Sequence, residues 1–126
     1  MSGGDEYLLA VYMEAQRGPT PVTPGRIATR LEKSSPSVTE MLQRLDEEEL
    51  VSYEAYEGVT LTDAGRARAE ELHESYVTLS WFFRSVLDLD DHETEAMEMA
   101  GVLDPSVADR LTATLPIDEL HEDEPE

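Results

Sequence analysis

Residues 23–62 read TPGRIATRLEKSSPSVTEMLQRLDEEELVSYEAYEGVTLT. Two helical starts stand in this stretch, each a hydroxyl residue followed by proline. Thr23 is suited to cap a helix with Pro24 at the first helical position, where a missing N–H costs nothing. Ser35-Pro36 repeats the arrangement. Ile27, Ala28 and Leu31 turn inward from the first helix, and Val38, Met41, Leu42 and Leu45 form a clean apolar face on the second. Lys33-Ser34-Ser35 interrupts the two, so the pair is a helix-turn-helix candidate with a strongly amphipathic second helix. Directly afterwards Val51, Tyr53, Val59 and Leu61 alternate with polar residues around Ala55–Gly58. That pattern predicts a β-hairpin, with Gly58 supplying the backbone angles of a tight turn.

Upstream, Leu8, Val11, Tyr12 and Ala15 follow one helix face, which RGPTPVTP (17–24) ends with glycine and three prolines. Downstream, Thr62 or Asp63 opens a long helix reaching about Leu87. Its apolar residues Ala69, Leu72, Tyr76, Leu79, Phe83 and Val86 step alternately three and four, a coiled-coil-like seam. Ala96, Met99, Ala100 and Leu103 mark a further helix; Val107, Ala108 and Leu111 mark another after Asp104-Pro105. The expected fold is mainly α with a small β-hairpin wing. A winged helix-turn-helix domain occupies residues 1–64, a helical dimerisation domain 65–115, and a frayed acidic tail 116–126. Leu72, Tyr76, Leu79 and Phe83, with Trp81 and Phe82 beside them, are the expected dimerisation residues; burial by the last two helices of the same chain is the alternative.

The 126 residues suffice for one domain of ordinary size with a short appendage. No apolar run approaches the roughly eighteen residues of a membrane span, and the start MSGGDEY lacks the pattern of a secretory signal. A soluble cytoplasmic protein is expected. No cysteine is present, which excludes disulfides, thiolate metal sites and thiol nucleophiles. Three histidines, no glycine-rich phosphate loop and no hydrolase elbow leave little for catalysis, so an enzyme is not expected.

Acids number 29 against 9 basic residues, of which Lys33 is the one lysine, for a net charge of −20. The acids are spread along the chain rather than confined to HEDEPE (121–126). A surface adapted to molar salt, as in an extreme halophile such as a haloarchaeon, accounts for this better than an acidic interaction tail. At such salt the Debye length falls to about 3 Å and self-repulsion is screened. The basic residues are not spread: segment 17–44 is net +3 and segment 69–126 net −15. Positive charge thus sits at the helix-turn-helix, as expected of a reader of duplex DNA whose remaining surface repels it. Ser35, Pro36, Ser37, Thr39, Glu40, Gln43 and Arg44 lie off the apolar face of the second helix, where they would meet the major groove. Arg26, Arg30 and Arg44 are the expected phosphate contacts. Glu40 is open between accepting from a cytosine amino group and plain solvation.

The ordered set of these features resembles the diphtheria toxin repressor (DtxR/MntR) family of iron- and manganese-dependent regulators. The likeness is carried by Glu6-Tyr7-Leu8 and Tyr12, Arg26-Ile27-Ala28 and Leu31, and SSPSV (34–38). Leu45-Asp46, Leu50-Val51, YEAYEGVTLT (53–62), Gly65-Arg66, Asp104-Pro105 and VADRL (107–111) continue it. The resemblance implies a homodimer in which each winged helix reads half of a palindromic operator as a repressor, here in a short form without the larger members' SH3-like domain. It also implies a Mn²⁺ or Fe²⁺ switch. Glu6 stands at one family ligand position, but Leu9, Tyr76, Ser80, Ala100 and Gly101 stand at others. His92, Glu93 and Glu95 offer only a rearranged remnant with Glu6, so the switch is expected to be degraded. The wing tip, basic in the family, here offers Ala55 and Glu57. A winged-helix module for protein–protein contact, without DNA binding, is the competing function.

Overall fold

The computed structural model describes residues 4–114; the acidic tail expected over 116–126 lies outside them. Two compact units divide between Glu70 and Glu71. The first is built from α1 (Gly4–Arg17), α2 (Pro24–Leu31), α3 (Ser35–Glu47), β1 (Val51–Glu54), β2 (Gly58–Leu61) and the opening turns of α4 (Asp63–Ser85). The remainder of α4, α5 (His92–Ala100) and α6 (Pro105–Thr114) form the second.

Local chemistry fixes most of these boundaries. In α1, Asp5 and Glu6 occupy the first turn and Arg17 the last, which complements the helix dipole at both ends. Thr23 caps α2, its hydroxyl accepting from Arg26 N–H at 3.4 Å, with Pro24 behind it. Glu32 ends α2 in the left-handed region (φ 56°) and returns its N–H to Ala28 O. The cap of α3 lies one residue earlier than the Ser35-Pro36 reading placed it: Ser34 Oγ accepts from Ser37 N–H at 3.3 Å. Pro36 still sits among the first turn's unpaired donors, so its missing N–H breaks nothing. Thr62 settles the start of α4, accepting from Gly65 N–H at 3.0 Å while donating to Glu49 O at 2.7 Å.

The hairpin pairs Val51 with Leu61 and Tyr53 with Val59. A further extended residue, unforeseen from the sequence, joins its edge: Val22 and Val59 exchange both backbone hydrogen bonds at 2.9 Å. Gly58 therefore answers two demands. Its φ is +131°, and a Cβ there would stand 2.6 Å from Val22 O. Gly65 answers a third, because a Cβ would fall 1.8 Å from Leu50 O.

Leu8, Leu9, Val11, Val22, Ile27, Val38, Leu42, Leu45, Val51 and Val59 are buried in the first unit's core. Each such side chain contributes about 1.5–3 kcal/mol by leaving water. Ala28, Leu31 and Met41, expected inward, are half-buried. Arg68 on α4 reaches Asp5 on α1, with Nη2 2.8 Å from Oδ2, and ties the ends of the first unit together.

In the second unit α4 stops at Ser85, short of the expected Leu87, and Val86 is exposed. Leu72, Tyr76 and Leu79 are buried within the single chain, and Phe83 is half-buried. On α5 the buried residues are Ala96, Met97 and Ala100, while Met99 is exposed. Ala96 and Ala100 thus lie on the buried face as expected, with Met97 in place of Met99, and Leu103 lies beyond the helix end at Ala100. Val107 is likewise exposed and Ala108 buried. Buried hydroxyls find partners here: Thr78 with Thr112 at 3.0 Å, and Ser80 Oγ with His92 Nδ1 at 2.9 Å. Among the described residues no buried side-chain N or O atom lacks a hydrogen bond.

Candidate nucleic-acid interface

The solvent side of α3 carries the residues that the sequence singled out. Ser35, Pro36, Ser37, Glu40, Gln43 and Arg44 are exposed and Thr39 is half-buried. The cap holds the N-terminal end in place, since Ser34 Oγ also donates to Ser37 Oγ at 2.9 Å. The buried face of Val38, Leu42 and Leu45 fixes the helix against the core, so its polar side is presented as a rigid edge. Lys33 precedes this edge and is exposed.

Arg26 and Arg30 are differently disposed from Arg44. Both turn toward Glu14 on α1. Arg26 Nε lies 3.3 Å from Glu14 Oε1 and Arg30 Nε 2.6 Å from Oε2, and Arg26 also donates to Pro19 O at 2.6 Å and to Glu14 O. The Glu14 side chain is 15 % exposed and that of Arg30 12 %. Burial pushes the Glu14 carboxyl up, but the hydrogen bonds and charges of Arg30 and then Arg26 outweigh it and hold the group below the usual glutamate value. The expectation that Arg26 and Arg30 serve simply as phosphate contacts thus meets a fork in which both first bind their own fold. An open cleft runs beside that fork, lined by Glu14, Arg17, Thr23, Gly25, Arg26, Thr29 and Arg30.

One exposed group went unnoticed in the sequence. Tyr56 stands at the wing tip with φ +71° and is fully exposed. Left-handed backbone is uncommon outside glycine, asparagine and aspartate, and it turns the ring away from the hairpin. The available signal was an aromatic residue inside a turn, AYEG (55–58), where alternation had no use for it.

The metal-ligand positions implied by the family do not assemble a metal site. Tyr76 is buried and stacks on His73, ring centroids 5.8 Å apart. Ser80 is hydrogen-bonded to His92. Ala100 is buried and, like Gly101, has no donor side chain. Glu6 is half-buried, Glu93 exposed and Glu95 half-buried. Among the described residues no three His, Asp or Glu side chains come together in a group that could hold an ion. Divalent iron or manganese needs several convergent N/O donors, and this donor set does not fit one.

No helix among the described residues is long and apolar enough to cross a membrane. Residues 1–59 match the sequence pattern of the iron dependent repressor, N-terminal DNA binding domain. An uncharacterized HTH-type transcriptional regulator of Methanocaldococcus jannaschii is 29% identical over 113 residues, covering 90% of this chain and 89% of that protein. The diphtheria toxin repressor of Corynebacterium efficiens is 29% identical over 111 residues, covering 86% of this chain and 48% of its own length. The solved manganese regulator SloR shares the fold with a TM-score of 0.75 at 24% identity, over 90% of this chain and 54% of that one. The chain therefore spans about half the length of these last two proteins and most of the first. Its winged helix and these relatives agree with that match: the first 59 residues are similar to the N-terminal DNA-binding domain of the iron-dependent repressors.

Proposed function

We propose that this protein is a cytoplasmic, homodimeric transcriptional repressor that reads a palindromic operator in duplex DNA through α3 and does so without a metal switch. The observation that carries the reading is the solvent edge of α3. It is a rigid, capped helix that presents Ser37, Thr39, Glu40, Gln43 and Arg44 beside the basic segment of an otherwise acidic chain. Small hydroxyls at the start of such a helix, and the amide of Gln43 further along, read base edges, while Arg44 beside it neutralises a phosphate. Tyr56 extends the contact through the wing, its ring set against sugar and base edges where the family's basic residues would otherwise lie.

Dimerisation belongs to the second unit in this reading. Leu72, Tyr76 and Leu79 are consumed by the chain's own core, so the pairing surface falls to the apolar residues left outside, among them Met99, Val102 and Val107. The acidity of the remaining surface suits a cytoplasm of molar salt, where counterion release adds little to affinity. Binding then leans on shape and base contacts.

Binding to genomic duplex fragments across a KCl series tests the reading, with Arg44→Gln and Gln43→Ala beside the wild type. Arg44→Gln is expected to weaken all fragments alike and lower the salt slope by about one. Gln43→Ala is expected to change which fragments are preferred. A folded chain with no duplex affinity at any salt, yet retaining a protein partner, would favour the protein–protein module instead.

A further inference from the structure

The fork at Glu14 raises a question that electrostatics alone answers wrongly. A carboxylate beside a DNA-binding surface repels phosphate, so its removal should tighten binding. Yet this carboxylate is the element that fixes two arginines. It takes Arg26 Nε on one oxygen and Arg30 Nε on the other, and the Glu14 backbone carbonyl and Pro19 O take Arg26's terminal nitrogens. Arg26 is thereby committed to the fold. Arg30 is committed through Nε alone, and its terminal N–H groups are not sealed from solvent, since no buried side-chain nitrogen among the described residues is left without a partner. These groups border the open cleft between the end of α1 and α2.

The rest of the cleft is built for an anion. Two guanidinium charges against one carboxylate leave it net positive, and Arg17 adds a third cation to its wall. Thr23 and Thr29 supply hydroxyls. Gly25 stands in the first turn of α2 with nothing within 4 Å of where its Cβ would be, so neither packing nor backbone angle asks for glycine there. Its effect is to keep the wall low beside the helix's N-terminal amides, where negative charge is favoured.

The geometry points to Glu14 as a positioning residue that aims Arg30 across this cleft, so that the cleft seats one phosphate of the duplex backbone beside the groove read by α3. The inference rests on the DNA-binding reading above and adds a second point of attachment to it. A guanidinium with its Nε already bound loses little further freedom when its remaining N–H pair closes on a phosphate, and that geometry favours two parallel hydrogen bonds.

The test is duplex affinity as a function of KCl for the full chain and for Glu14→Gln, Arg30→Gln and the double variant, with circular dichroism confirming that each is folded at the temperature used. Glu14→Gln is expected to bind about tenfold more weakly, with the slope of log K against log salt shallower by about 0.9, the value of one phosphate. Arg30→Gln is expected to show the same loss, and the double variant no more than either single one, because both remove one seat. A Glu14→Gln protein that binds as tightly as wild type or tighter, with an unchanged slope, overturns the inference, as does strict additivity of the two losses. A role confined to stability would lower the melting temperature but leave affinity and slope intact in the folded variant. If Glu14→Gln fails to fold, Arg30→Lys decides: it keeps the charge, loses the fork, and is expected to show the same shallower slope. A wild-type chain that binds no duplex at any salt removes the DNA reading itself, and this inference with it.

Discussion

The two units of this chain solve the same problem with different materials. Up to Glu70 the core is closed by fully buried leucine, isoleucine and valine, and its helices are cross-tied by Glu14 to Arg26 and Arg30 and by Asp5 to Arg68. From Glu71 onward the buried set mixes Leu72, Val77 and Leu79 with alanine, methionine, serine and threonine around Tyr76, and Val86, Leu87, Leu89, Met99, Val102 and Val107 are left exposed. Seven of the nine basic residues fall in the first unit and two in the second. The first completes its own core and keeps its charge for a partner of opposite sign. The second leaves apolar side chains exposed among the described residues, the kind of surface the proposed dimer would bury.

The comparison breaks most directly at the first unit's core. Leu42→Ala removes a fully buried side chain from the inward face of α3. It is expected to cost about 2–5 kcal/mol, visible as a large fall in the denaturant midpoint and as loss of DNA binding. A loss below about 1 kcal/mol would mean that this core is looser than its burial implies. The second unit is probed from outside. Val102→Asp with Val107→Asp places charge on exposed apolar positions without opening any cavity. Helicity should persist, while sedimentation shows the dimer weakened about a hundredfold, as expected for two interface residues worth about 1.4 kcal/mol each. An unchanged dimer would move the interface elsewhere and take away the contrast drawn above.

The Glu14 fork gives a smaller effect with a defined pH signature. Its carboxyl is held below the ordinary glutamate value, the pull of Arg30 and Arg26 exceeding the push of burial. A group with a lowered folded value stabilises fully above its unfolded value, about 4.3, and loses that contribution as the pH falls through the folded one. Glu14→Gln is therefore expected to cost about 1–3 kcal/mol at neutral pH and to flatten the acid limb of stability below the unfolded value. Denaturant titrations at several pH values read both. A variant with the wild-type acid limb would show that the fork adds nothing to the fold.

What was legible beforehand follows the same division. In the first unit the signals are local: Thr23-Pro24, the alternation around Ala55–Gly58, and the face of Val38, Leu42 and Leu45 each specify their element within a few residues. Contacts between distant positions were not legible. The pairing of Val22 with Val59 leaves no mark on either neighbourhood, although Gly58 hinted that something came close. Glu14 was one acid among 29, and nothing in its spacing announced two arginines twelve and sixteen residues on. In the second unit the helices were found and Ala96 and Ala100 face inward as expected, but Met97 rather than Met99 completes the face of α5, a short helix with few large apolar side chains to set its period. The seam of Leu72, Tyr76 and Leu79 reads in the sequence as an interface, with burial inside one chain as the alternative, and in the folded chain those residues are buried.

The smallest effect foreseen is that of metal, and it sharpens the comparison most finely because it concerns donor positions of the second unit. A regulatory ion works by adding bonds that one conformation has and another lacks, so its effect scales with the donors that converge on it. Here Tyr76 is packed on His73, Ser80 is satisfied by His92, and Ala100 and Gly101 offer no donor side chains. These residues join α4 and α5 by packing and hydrogen bonding rather than by donors aimed at a shared point. Duplex affinity measured in molar KCl with EDTA, then with micromolar Mn²⁺ or Fe²⁺, should therefore change by less than about twofold, well under the fivefold floor of typical coupling between sites. Calorimetry should find no specific ion binding alongside. A tenfold tightening on adding Mn²⁺ would instead require Glu6, His92, Glu93 or Glu95 to be drawn together into a site, and the Ser80–His92 hydrogen bond is the contact that would have to open first.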